Sequence, residues 1–314
     1  MKGAEYKSRT GTTVFNRLLT LMLCFFSLAS APCLADIGTD KAMTGRGIMD
    51  EVFNRHELFP YAYEEQTIIL TDNADYQDVR KVRRFSRIER DNTLKYLLIF
   101  DYPAEIRGVA LRVIRQHKGP VTCGIYLPAV GEEFNANEGY GRGSHVLGTD
   151  FALEDLTELL SDFQYVRMPD QTMAKIVYFV VDAFPRKDTI KLNKVSYKHR
   201  HFIRQDNFFI IRTDYFDYHG HFFKRLTRHD LKNVSGNMWR ANMILMDNQR
   251  EQHKTLIKID RRIFSQDYVP PEIFTTAWLQ ANKHIQGTTD HLSREILRFS
   301  REYQGNTTDD TIGD

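Results

Sequence analysis

Three cysteines in 314 residues are too few for a fold held together by disulfides. Nine prolines and 18 glycines exclude a collagen-like or low-complexity chain. Beyond residue 35, no run approaches the ~18 uncharged apolar residues that a membrane-spanning helix requires. Neither sign of charge dominates, since 43 Lys+Arg face 41 Asp+Glu. What is present is 42% hydrophobic residues, enough for a real core, with 21 Phe and 15 Tyr. Flat aromatic side chains suit a half-buried pleated surface, so the composition favours one large β-rich domain.

The first 35 residues have the layout of a secretory signal peptide. Lys2, Lys7, Arg9 and Arg17 precede an apolar stretch from Leu18 to Leu28, and small residues lead to Ala35. Cleavage is expected after Ala35. The other small-x-small triplet, Ala29-Ser30-Ala31, would leave Pro32 at the new N-terminus, and Pro32 also spoils a lipidation signal at Cys33. A membrane-anchored N-terminal helix is the competing reading, against which the apolar run is short. Four bases and one acid leave with the segment, so the net charge of +2 falls to −1. No basic excess then remains to neutralise phosphates, and nucleic acid is not an expected partner. Cys24 and Cys33 leave as well, so Cys123 stands alone, and export with one thiol suits a bacterial periplasm.

In the mature chain, Met43, Gly47, Ile48, Val52 and Leu58 fall at helical spacing and predict an amphipathic helix ending near His56. From Tyr61 the period changes to two. Strands are predicted over 62–70, 79–88, 94–100, 109–114 and 122–127, separated by turn residues such as Asp91-Asn92 and Tyr102-Pro103. Asp150 is read as the N-cap of a short helix carrying Leu153, Leu156 and Leu160. Strands resume over 175–181, 195–203, 208–217, 222–226, 243–246 and 255–259, with Tyr218-His219-Gly220 as a hairpin turn. Pro270-Pro271 ends the sheet and 272–280 reads as a short helix. Residues 288–303 form a second amphipathic stretch before a polar tail.

The motifs that could carry chemistry have plain alternatives. Arg80, Lys81, Arg83, Arg84 and Arg87 read as a solvated strand paired with acids such as Asp78 and Glu89, in preference to a docking strip. The alternating glycines of 139–143 lack the Lys-Ser/Thr of a phosphate loop and read as a mobile loop. His199 and His201 share a strand face and His219 and His221 flank the hairpin. With no Cys ligand and no His-Glu-x-x-His, no metal site is expected. Cys123 reads as a small buried residue, and Glu132 and Glu133 as solvated loop acids. Glu154 and Asp155 diverge on their helix, so they form no dyad. With no nucleophile elbow, catalysis has no carrier, and neither an enzyme nor a cofactor is expected.

Several segments taken together resemble the LolA-like family of periplasmic outer-membrane lipoprotein-sorting proteins, over roughly 45–279. They are Arg83-Arg84-Phe85-Ser86-Arg87, Phe100-Asp101-Tyr102-Pro103 through Arg107-Gly108-Val109-Ala110-Leu111, and Ile125-Tyr126-Leu127-Pro128. Asp214-Tyr215-Phe216-Asp217 with Gly220 and Lys224 adds to them. The most specific is Leu147-Gly148-Thr149-Asp150-Phe151 through Glu154-Asp155-Leu156. The resemblance implies a curved, unclosed antiparallel β-barrel with helices on its concave side, a shape that carries acyl chains through water. It departs after about Leu279, which divides the chain into a signal peptide (1–35), a carrier domain (36–283) and a C-terminal extension (284–314).

Apolar character and register make Val109, Leu111, Tyr126, Phe151, Leu156, Phe208, Ile210 and Phe216 the candidate lipid-lining residues, with the helix after Asp150 as part of a lid. The expected function is periplasmic carriage of lipid acyl chains or lipidated protein between membranes. A monomer is expected, with an inner-membrane transporter of RND or ABC type as the partner it admits. The alternatives are an accessory lipid-binding subunit of an RND-type exporter, or an interaction module whose cavity its own side chains fill.

Overall fold

The computed structural model describes residues 43–57, 59–117, 119, 121–136, 145–186 and 196–285. The expected signal peptide, the glycine run at 139–143 and the 288–303 stretch lie outside the described residues.

The chain opens with α1 (Gly45–His56), where the Thr44 hydroxyl accepts the Gly47 N–H at 3.1 Å and caps the first turn. Arg46 with Asp50 and Arg55 with Glu51 are paired one turn apart along it. A first meander follows: β1 (Tyr61–Thr71), β2 (Gln77–Ile88), β3 (Leu94–Tyr102), β4 (Ala110–Arg115), β5 (Val121–Leu127) and β6 (Glu132–Asn135). The connection onward carries α2 (Leu153–Thr157). The second meander is β7 (Phe163–Met173), β8 (Ile176–Pro185), β9 (Lys198–Arg204), β10 (Ile210–Phe216), β11 (Phe222–Ser235), β12 (Met238–Asn248) and β13 (His253–Ile263). Two short 3-10 turns and α3 (Thr276–Gln280) end the described chain.

Within each meander every strand pairs antiparallel with its sequence neighbour, and β1 pairs with β13, so the two meanders join into one sheet of thirteen strands among the described residues. Its free edges are β6 and β7. This is an unclosed, curved antiparallel barrel. Two strands escape the sequence pattern, β6 because it is four residues long and β7 because polar residues interrupt its alternation. The acids read as loop residues therefore lie on a strand, and Glu133 accepts both arms of Arg112 at 2.7 Å.

Register sorts side chains to the two faces, since residues directly opposite each other project the same way. One inner row runs Ile125, Leu111, Leu98, Arg84, Glu64 and Arg262. Another runs Val181, His201, Thr213, Leu226, Met246, Thr255 and Leu70. On this inner face α1 packs Ile48 and Met49 against Val181 and Ile203. Residues 145–157 cross the same face, setting Val146, Leu147, Leu153 and Leu156 against Leu98, Leu111 and Val113.

The outer face of the first meander is covered by the chain after β13. Val269, Ile273, Phe274 and Leu279 pack on Tyr63, Phe85, Leu97, Ile99 and Tyr126. Arg83 grips Asp101 with two hydrogen bonds at 2.8 and 2.9 Å and reaches the His284 carbonyl, which ties this cover down. Helical segments therefore lie on both faces: α1 and α2 inside, α3 outside.

Candidate functional site

Between the inner face, α1 and the crossing segment lies a cavity of about 520 Å³. One sector is apolar, with Ile68, Leu98, Phe100, Leu226, Ile244 and Ile257 from the sheet and Leu147, Phe151 and Leu156 from the crossing segment. The other sector is charged. Glu64, Arg84, Arg228, Arg240 and Arg262 line it, together with His56 and His201.

A β-bulge builds part of the charged sector. The register between β1 and β13 skips Asp260, so Glu65 faces Arg261 and Gln66 faces Ile259. The extra residue reverses the alternation and turns Arg262 inward to Glu64. The Glu64 carboxylate then accepts from Arg262 at 2.5 Å, Gln66 at 2.7 Å and Arg84 at 2.8 Å. Burial alone would raise this carboxyl, but the two guanidiniums outweigh it and hold it at about 2. Arg240 is paired more loosely, 3.9 Å from Glu57. Burial draws both Arg240 and Arg228 below the usual guanidinium range. His201 sits 3.0 Å from the Thr213 hydroxyl; burial first and the charge of Arg228 second lower it to about 4, so it is neutral near pH 7. His56 accepts the Trp239 N–H on Nδ1 at 3.1 Å, which leaves Nε2 to donate to the Asn207 carbonyl at 3.2 Å.

Buried polar ties hold the crossing segment over the cavity. Arg80 donates to the Leu147 carbonyl. Asp150 accepts from Thr255 and His253, both at 2.7 Å. Lys224 meets Asp155 at 2.6 Å with both side chains buried. Arg115 clasps Asp162 at 2.7 and 2.8 Å and also reaches the Thr157 carbonyl. Asp150 is thus not the N-cap of α2. The Ala152 N–H is satisfied by the Asp155 carboxylate at 2.8 Å instead, and Asp150 is spent on β13.

Of the eight residues proposed from sequence, Phe151, Leu156 and Ile210 line the cavity. Leu111, Val109 and Phe208 pack in the walls around it, Leu111 beneath the crossing segment and Phe208 beside α1. Tyr126 and Phe216 stand on the outer face. Tyr126 is buried under the C-terminal cover with its hydroxyl on Asn282 at 3.0 Å, and Phe216 lies under the Lys198 ammonium at 4.1 Å. Each is one position out of phase with the inward row, since Ile125 and Tyr215 point in.

The arginine-rich strand divides the same way. Arg80 with Asp78 and Arg87 with Glu89 are paired as the sequence suggests, but Arg84 points into the cavity and is no surface residue. His199 and His201 stand inside with ring centroids 6.1 Å apart, and His219 and His221 lie at the hairpin. No group of three or more His, Cys, Asp or Glu that could hold a metal occurs among the described residues. The Cys123 thiol is buried and pushed up to about 12. Sequence reasoning missed Glu64, Arg228, Arg240 and Arg262 altogether. Alternating charge on a strand looks solvated, and only the pairing of distant strands turns it inward.

No helix among the described residues is long and apolar enough to cross a membrane. No curated protein matches the chain. A family model described only as that of an uncharacterized protein matches residues 92–281. Among solved structures, a domain described as an outer membrane lipoprotein-sorting protein from Vibrio parahaemolyticus superposes with a TM-score of 0.68 at 22% identity, over 75% of this chain and 98% of that one. A DUF1329 family protein from Desulfovibrio piger gives 0.65 at 17% identity, over 74% and 98%. A LolA superfamily protein from Nitrosomonas europaea gives 0.59 at 14% identity, over 76% and 100%. The superpositions span nearly the whole of each of these three structures, so the chain has the LolA-like fold, and the family model takes in more than half of it: the chain belongs to that family of uncharacterized proteins.

Proposed function

We propose that this protein is a carrier that takes lipid acyl chains, or the acyl chains of a lipidated protein, into the inner cavity and moves them between membranes. The observation that carries this reading is the cavity itself, an unfilled space of about 520 Å³ with an apolar sector. An acyl chain of ~15 methylenes, at ~0.8 kcal/mol each, loses on the order of 12 kcal/mol of burial when it enters water. A carrier must therefore offer an apolar space before the chain arrives. The crossing segment, strapped to the sheet, supplies a roof over that space. In this reading residues 1–35 are a cleaved signal that delivers the protein to the periplasm, 36–283 are the carrier domain and 284–314 an extension. The partner this reading admits is an inner-membrane transporter of RND or ABC type. The fold it shares with a domain described as lipoprotein-sorting suits the same task.

The test is native mass spectrometry and organic extraction after purification without detergent, followed by uptake of a fluorescent fatty acid. Co-purifying lipid and saturable uptake are expected. Leu226→Trp and Ile257→Trp, which fill the apolar sector, should lower uptake at least about tenfold, the loss of roughly two buried methylenes. A protein that carries no lipid and takes up none would overturn the carrier and favour an interaction module.

A further inference from the structure

Resting on the carrier reading, we propose that the cavity selects single-chain amphiphiles with an anionic head, a carboxylate or a phosphate monoester, and that Arg228 receives the head. The four guanidiniums of the charged sector are not equally engaged. Arg84 and Arg262 share Glu64, and Arg240 stands near Glu57. Arg228 has no carboxylate within 4 Å among the described residues, and its hydrogen bond is a long one, 3.4 Å to the Ile210 carbonyl. The acid on the neighbouring strand, Asp214, is spent on the outer face on Arg212 and Arg225. A guanidinium in a half-apolar cavity without an acid is costly, and an anionic ligand would remove that cost. Its fork matches the two oxygens of a carboxylate or phosphate. The neighbouring His201 is neutral and does not compete for the anion.

Register supplies the place for the tail. Opposite Arg228 on β12 is Ile244, opposite Ile244 on β13 is Ile257, and opposite Ile257 on β1 is Ile68. All four line the cavity. Three strand spacings of ~4.8 Å make an apolar row about 14 Å long that starts at the guanidinium. Head and tail sites are therefore successive residues of one inward row. The cavity volume falls within the ~300–1,000 Å³ of sites that enclose one small molecule, which points to one chain.

The experiment compares cis-parinaric acid with its methyl ester on the delipidated protein, by fluorescence titration. The acid should bind at least about tenfold more tightly, the discrimination that one charge-assisted hydrogen bond supplies. Arg228→Met should bring the ratio of acid to ester affinity close to one, and Arg228→Lys should keep a preference for the acid. If Arg228→Met does not fold, the comparison on the unaltered protein still decides. Displacement of the acid by palmitate alone, by hexadecyl phosphate alone or by both assigns the head as carboxylate, phosphate monoester or either. Equal affinity of the unaltered protein for acid and ester overturns the head-group inference and leaves the carrier standing. Binding of neither overturns both.

Discussion

Asp150 and Thr255 are joined twice: the Asp150 N–H donates to the Thr255 hydroxyl oxygen at 2.8 Å, and that hydroxyl donates to the Asp150 carboxylate at 2.7 Å. One side chain on β13 thus anchors both backbone and side chain of the segment that roofs the cavity. Thr255→Val keeps the shape and removes both bonds, leaving the buried Asp150 N–H short of a partner and its carboxylate oxygen with His253 alone. The expected cost is about 1–3 kcal/mol in urea unfolding, with faster exchange of a bound fluorescent fatty acid. Unchanged stability and exchange would mean that the roof is held elsewhere.

Arg115 and Asp162 make the strongest test of the buried ties, because both side chains are under a tenth exposed. Arg115→Ala takes the guanidinium away from a buried carboxylate, which keeps the Leu159 N–H at 2.9 Å, and should cost about 3–5 kcal/mol. The double change Arg115→Met with Asp162→Leu removes both charges and should recover much of that loss. Chemical denaturation of the three proteins checks it; an equal loss in the double variant would contradict a simple ion-pair account.

Gly45 opens α1 where the helix touches β7. A Cβ there would stand 2.7 Å from the Arg167 nitrogen and 2.9 Å from the Val166 carbonyl carbon, both backbone atoms that cannot step aside. Helix propensity alone predicts that Gly45→Ala stabilises by up to about 1 kcal/mol. The clash should win, with a net loss of about 1–3 kcal/mol. A raised thermal midpoint would show that α1 can shift without cost.

Acid should destabilise the protein in two stages. Burial, and then the Arg228 charge, hold His201 at about 4, against 6.5 in the unfolded chain. As pH falls from 6.5 toward 4, the unfolded chain takes up a proton that the fold refuses, so stability declines; His56, lowered mainly by burial, acts in the same direction. Glu64 follows. Its carboxyl is held at about 2 in the fold against 4.5 outside it, so its contribution is complete above 4.5 and is lost as pH falls toward 2. His201→Gln should flatten the thermal midpoint between pH 6.5 and 4 and leave the lower stage in place. A profile with the same slope after the substitution would place the titrating group elsewhere.

Local patterning determined the elements. The two-residue period over 62–70, 79–88 and 94–100 comes from alternate faces of one strand, so the strands were legible without their partners, as was α1 from its helical spacing. The antiparallel meander followed from short connections, and the resemblance centred on 147–156 led to the unclosed barrel. The candidate site was half legible. Phe151, Leu156 and Ile210 are apolar residues that the inward rows accept, whereas Tyr126 and Phe216 are equally apolar and lie one residue out of phase.

Which phase faces inward was decided by tertiary structure alone, because a strand's two faces are equivalent until a helix or a crossing segment covers one of them. The bulge at Asp260 turns Arg262 toward Glu64, and the joining of β1 to β13 brings together residues nearly 200 positions apart. A guanidinium on a strand is a surface group by local rules. It becomes the floor of a cavity only when distant strands close around it, and no nearest-neighbour pattern carries that information.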